Sequence, residues 1–178
     1  MKDVLVPLAD GFEEIEAATV VDVLRRAGLT VITAGMPSTI VQGSRGMKMM
    51  TDRKFEDVNH NQFDALVLIG GDPGYRNLNR SQKVHKVIRD FNTQGKLIAA
   101  ICAAPTILAD AGMLDERVAT VYPGMEKKIP KPRDKKVLLD GNILTSKAPG
   151  TAMEFSLKIV EILIGPETVL ELRRDLVC

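Results

Sequence analysis

Aliphatic runs of strand length recur along the chain with almost no polar interruption: VLVPLA (4–9), LTVITAG (29–35), FDALVLIGG (63–71) and KLIAAI (96–101). A strand covered on one face alternates apolar and polar side chains, whereas a strand covered on both faces does not. The runs therefore predict a parallel sheet sandwiched between two other layers. RVATV (117–121) reads as a further run, and KKVLLD and NILTSK on either side of Gly141 as a later pair.

The intervening segments carry helical periodicity. In 13–27, Val20, Val23, Leu24 and Ala27 recur at i, i+3, i+4 and i+7, and Gly28 stands where a helix would close. In 81–94, Ser81 is placed to cap a stripe of Val84, Val87, Ile88 and Phe91, which Gly95 ends. The segment 151–164 is apolar over a broad face, and Gly165-Pro166 closes it and opens another helix. Strand–helix alternation of this kind predicts a three-layer α/β/α sandwich with a mostly parallel, doubly wound sheet, residues 1–178 forming a single domain. Only 36–58 breaks the pattern, where STIVQGSRGMKMMTD reads as an inserted β-hairpin around Gly43–Gly46.

Bulk properties exclude more than they identify. Lys and Arg total 24 against 23 Asp and Glu, so no net field draws the chain to nucleic acid or anionic membrane. No apolar run approaches the roughly 18 residues of a membrane span. The opening MKDVLVPLADGFEE meets acidic residues too early for a signal peptide. Two cysteines, Cys102 and the terminal Cys178, fit free thiols in a reducing cytoplasm better than a structural disulfide. With no Cys-x-x-Cys motif and no paired histidines, no zinc site is expected. EKKIPKPRDKK (126–136) reads as a solvated basic loop.

Three stretches could carry chemistry. KLIAAI leads into Cys102, then Ala103-Ala104-Pro105, a small-residue turn able to start a helix. A residue there would stand at the carboxyl end of a parallel sheet, where α/β ligand sites lie and a helix N-terminus favours thiolate. The competing reading is a buried structural cysteine, and pattern alone leaves both open. LIGGDPGY (68–75) puts glycines after another central strand, either as a tight turn or as backbone that brings an N–H to an oxyanion. It has neither the GxGxxG nor the P-loop signature of a phosphate site. LADGFEEIEAA (8–18) clusters Glu13, Glu14 and Glu16. A carboxyl group in an apolar cleft would have a raised pKa and could share a proton with a thiol, but the pattern does not choose among the three. His60 and His85 fall far from the expected strand ends, which argues against a Cys-His hydrolase.

Taken together, GFEEIEA, VDVLRRAG, VQGSRG, VLIGGDPG, AAICAAP and ILTSKAPGTAMEF resemble, in order and spacing, the ThiJ/PfpI superfamily of class I glutamine amidotransferase-like, flavodoxin-like folds. The resemblance runs from about residue 3 to 170. It is to the branch with the parkinsonism-associated deglycase and the bacterial YajL-like proteins. It implies that Cys102 is the oxidation-sensitive nucleophile and Glu16 the acid bonded to it. Gly70, Gly71 and the Ala103 N–H would surround the sulfur, and Pro149 would line the pocket. Arg26 and Arg45 resemble arginines that reach the pocket across a dimer interface. Ala103 stands where peptidase-like relatives carry His, and Tyr122 where several relatives carry a pocket His. The implied function is cofactor-free chemistry on 2-oxoaldehydes such as methylglyoxal or on early glycation adducts, in a cytoplasmic homodimer. The alternatives are a redox-regulated chaperone with protein clients and, less favoured, an amidase or peptidase.

Overall fold

The computed structural model describes residues 2–178. The chain runs β1 (Asp3–Ala9), α1 (Glu14–Arg26), β2 (Thr30–Met36), β3 (Ile40–Gln42), β4 (Lys48–Met50), β5 (Arg53–Lys54), β6 (Ala65–Leu68), α2 (Gly74–Asn79), α3 (Gln82–Thr93), β7 (Leu97–Ile101), α4 (Pro105–Asp110), β8 (Val137–Asp140), β9 (Ile143–Ser146), α5 (Ala152–Leu163) and α6 (Pro166–Leu176). The aliphatic runs make the middle of one sheet of order β5-β2-β1-β6-β7-β9-β8. Every residue of β6 and β7 is buried, as is all of β1 after Asp3, so these strands have no solvent face to mark with polar residues. All pairings in the sheet are parallel except β8 with β9.

The chain steps outward from β1 to β2 in one direction and from β6 through β7 to β9 in the other. Because βαβ crossovers are right-handed, the connecting helices fall on opposite faces. Helix α1 packs on α5, which carries α6, whereas α3 covers β6 and β7. The reversal of strand order between β1 and β6 leaves a crevice at the carboxyl ends of the strands.

Local signals worked as expected at most boundaries. Ser81 Oγ accepts from the Val84 N–H, Gly28 and Gly95 take positive φ, and β3 pairs with β4 as the inserted hairpin. The run at 117–121 corrects the expectation of a strand. Ala119 makes only an isolated bridge to Pro132, and the Thr120 N–H donates to Thr145 Oγ1. The pair around Gly141 explains this: β8 folds straight back on β9 and takes the edge that 117–121 would have needed. No helix is long and apolar enough to cross a membrane among the described residues.

Candidate active site

Cys102 follows the last residue of β7 and has φ +65°, one of two non-glycine residues among those described with positive φ. A side chain in this left-handed region is strained, so the conformation needs support from outside. Its N–H donates to Ser146 O at 2.9 Å, and its carbonyl accepts from the Tyr122 N–H at 2.8 Å. Two separate segments thereby hold the backbone. Pro105 opens α4 three residues later. The residue lines a cleft but is only 7% exposed.

The glycines after β6 provide the second wall. A Cβ on Gly70 would lie 2.7 Å from Cys102 Cβ and 3.0 Å from Glu16 Oε2, so only glycine lets the strand end approach so closely. The Gly70 N–H donates to that same Glu16 oxygen at 2.8 Å. Gly71, at φ +91°, directs its N–H to the Cys102 sulfur, where the Ala103 N–H joins it.

Three glutamates in one helical start have three different environments. Glu13 caps α1, accepting from the Ile15 N–H. Glu14 Oε1 accepts from the Arg45 N–H at 2.6 Å and the Met47 N–H at 3.4 Å, and Oε2 accepts from Ser44 Oγ at 3.2 Å, which ties the β3–β4 hairpin to α1. Glu16 points inward and is fully buried. A sequence signal for it existed: Glu16, Val20, Val23 and Leu24 stand at i, i+4, i+7 and i+8, so this carboxylate occupies a core position of the helix.

Burial pushes the Glu16 carboxyl up to about 7, against the Gly70 N–H and the Cys102 side chain, which pull it down. Burial also pushes the Cys102 thiol up, seconded by the Glu16 charge, while the Gly71 and Ala103 amides oppose both. This corrects the expectation that the helix start alone would give a low-pKa, accessible thiolate. The pair resists holding two negative charges, so above about 7 it carries one charge and one shared proton. Although Cys102 acts on the carboxyl, Oε1 has no partner in hydrogen-bonding geometry.

Above the sulfur opens a cleft of about 570 Å³. Of the residues singled out in the sequence, Cys102, Gly71, Ala103, Tyr122, Pro149 and Arg45 line it, with Glu16 and Gly70 directly beneath. Arg26, expected to reach a pocket across a dimer interface, does not line the cleft of its own chain, where its Nε donates to Asp22 on α1. The histidines are elsewhere, His60 on Asp90 and His85 on Asn79. Glu13, one of the three clustered glutamates, also lines the cleft, and Asp72, Tyr75, Arg76, Met125 and Lys128, which were not anticipated, complete much of the wall. Lys128 belongs to the basic loop that its composition had marked as merely solvated.

The DJ-1/PfpI family matches residues 2–162. The chain belongs to that family. It is 42% identical over 180 residues to protein dj-1beta of Drosophila melanogaster, covering 98% of this chain and 96% of that one. It is 38% identical over 176 residues to the glutathione-independent glyoxalase DJR-1.2 of Caenorhabditis elegans, covering 97% and 94%. Oxidized Toxoplasma gondii DJ-1 superposes with a TM-score of 0.96 at 35% identity, covering 99% of this chain and 98% of that one. A DJ-1/PfpI fold with a flavodoxin-like sheet is thus shared with solved relatives along essentially the whole chain.

Proposed function

We propose that this DJ-1/PfpI protein converts 2-oxoaldehydes to 2-hydroxy acids without an added cofactor, working in the cytoplasm as a homodimer. The observation that carries the reading is the buried Glu16 beside Cys102, its carboxyl raised to about 7, with two amides facing the sulfur. Its similarity to a relative named as a glutathione-independent glyoxalase supports the same chemistry.

In the reactive form the shared proton sits on Glu16 and the charge on sulfur, which gives the otherwise unpartnered Oε1 a hydrogen to donate. The sulfur attacks the aldehyde carbon, a C–S bond forms, and the Gly71 and Ala103 N–H groups hold the developing oxyanion. Glu16 protonates that oxygen, leaving a hemithioacetal and a Glu16 carboxylate. The carboxylate then removes the proton from the former aldehyde carbon to give an enediolate and returns it to the neighbouring carbon, while the hydroxyl proton of the first carbon passes to the oxygen of the second. The first carbon is oxidised to a thioester and the second reduced to an alcohol, so no outside electron acceptor is required. Water cleaves the thioester and regenerates Cys102. Deglycation of early adducts would begin with the same attack.

Exposed Ile15, Ile40, Met47 and Met50, on the hairpin and the start of α1, support the homodimer. The test is lactate formation from methylglyoxal by the wild type, Cys102→Ala and Glu16→Gln. Turnover should fall steeply in both variants, and equal, negligible rates in all three would end the enzymatic reading.

A redox-sensing role, with chaperoning of protein clients, is the second reading, favoured by the same two amides, which would hold a sulfinate. Peroxide first makes a sulfenate and water, and a second equivalent makes the sulfinate. Exposed Cys178 is an internal control. Intact-mass analysis during peroxide titration should show Cys102 oxidised first; the reverse order rules the role out.

A further inference from the structure

The cleft is larger and more cationic than methylglyoxal requires. About 570 Å³ is the range of pockets that enclose drug-sized ligands, and a three-carbon oxoaldehyde fills little of it. Three cations line the wall, Arg45 from the hairpin turn, Arg76 from α2 and Lys128 from the basic loop, against the carboxylates Glu13 and Asp72. Asp72 is paired, accepting from Arg76 Nη2 at 2.9 Å, whereas Glu13 accepts the Ile15 N–H at 3.4 Å and has no ion-pair partner among the described residues, so it offsets one of the remaining positive charges. The Arg45 guanidinium and the Lys128 ammonium have no hydrogen-bond or ion-pair partner among the described residues. Two unpaired cations from two separate segments thus face the concavity that holds the nucleophile.

We infer that the cleft selects 2-oxoaldehydes carrying a second, anionic group, carboxylate or phosphate, held by Lys128 and Arg45 while Cys102 attacks the aldehyde. This rests on the oxoaldehyde reading above and names its substrate class. A neutral chain in place of the anionic one leaves both cations solvated and the preference lost. With 4,5-dioxopentanoate the balanced reaction adds one water and gives 2-hydroxypentanedioate, the distant carboxylate unchanged.

The experiment compares kcat/KM for 4,5-dioxopentanoate, for 3-phosphooxy-2-oxopropanal and for neutral 2-oxopentanal. At least one anionic substrate should be preferred by about tenfold, and the preferred one identifies the group; the preference should shrink as salt screens the cations. Lys128→Gln should lower the anionic-to-neutral ratio by roughly two- to fivefold, and the Lys128→Gln, Arg45→Gln double variant should bring it close to unity. Wild-type ratios at or below one, or an unchanged ratio in the double variant, overturn the inference. A readout independent of turnover is alkylation of Cys102 by iodoacetate and by iodoacetamide, in which the same C–S bond forms and iodide leaves. The iodoacetate-to-iodoacetamide rate ratio at Cys102 should exceed that at Cys178 and fall in the double variant. If no oxoaldehyde is turned over, the oxoaldehyde reading fails alone, while this ratio still decides whether the cleft selects anions.

Discussion

Glu14 and Glu16 are two residues apart on the first turn of one helix, and their surroundings drive them in opposite directions. Burial acts on both. At Glu14 it is outweighed by its own N–H, the Arg45 and Met47 N–H groups and the Ser44 hydroxyl, which hold the carboxyl below its ordinary value. At Glu16 only one N–H and a thiol oppose it, and the carboxyl rises to about 7. A well-satisfied carboxylate fastens a hairpin; a poorly satisfied one keeps a proton available. Depth of burial and the number of donors supplied together separate structure from chemistry here.

The sharpest way to break this contrast is Glu16→Gln, which keeps the shape and removes the titrating proton. Its kcat/KM on methylglyoxal should fall by about 10²- to 10⁴-fold in a coupled lactate assay. Gly70→Ala attacks the same region sterically, since its methyl group would press on both Cys102 and Glu16. We expect a loss of roughly tenfold or more, because small misplacement of reacting groups is costly. A result within twofold of wild type would mean that the close approach of β6 is incidental.

The pH dependence should divide the two glutamates by sign. A carboxyl raised from 4.5 to about 7 favours the folded state least where it must be ionised, so stability declines as pH rises through that window. Comparing urea unfolding at about pH 5 and about pH 8, Glu16→Gln should recover up to about 3 kcal/mol, mainly at the higher value. Wild-type kcat/KM should rise with an apparent pKa of about 7, and that limb should be absent from the variant. Glu14 runs the other way: its stabilisation is present above 4.5 and lost as pH falls through its lowered value. Glu14→Gln should therefore cost about 1–3 kcal/mol near neutrality, seen in the same unfolding assay, and little at low pH.

Much of this architecture is visible in the order of residues. Strands β1, β6 and β7 stand out because burial on both faces leaves them almost purely aliphatic. Residues 117–121 have a strand's composition but not its place, since edge pairing was decided by the turn at Gly141 rather than by local propensity. Two-residue β5 is too short to show any period. Cys102 and the glycine pair are marked by position at strand ends. Lys128 is not, because a loop has no period from which its direction can be read.

The left-handed backbone of Cys102 sets folding and reactivity at odds. Glycine would occupy φ +65° without steric penalty, so Cys102→Gly should relax the turn while removing the sulfur. Selection for heat resistance alone would then favour an inert protein at this position. Only selection that includes turnover would keep the cysteine, so a library screened for melting temperature should be expected to drift toward silent variants here first.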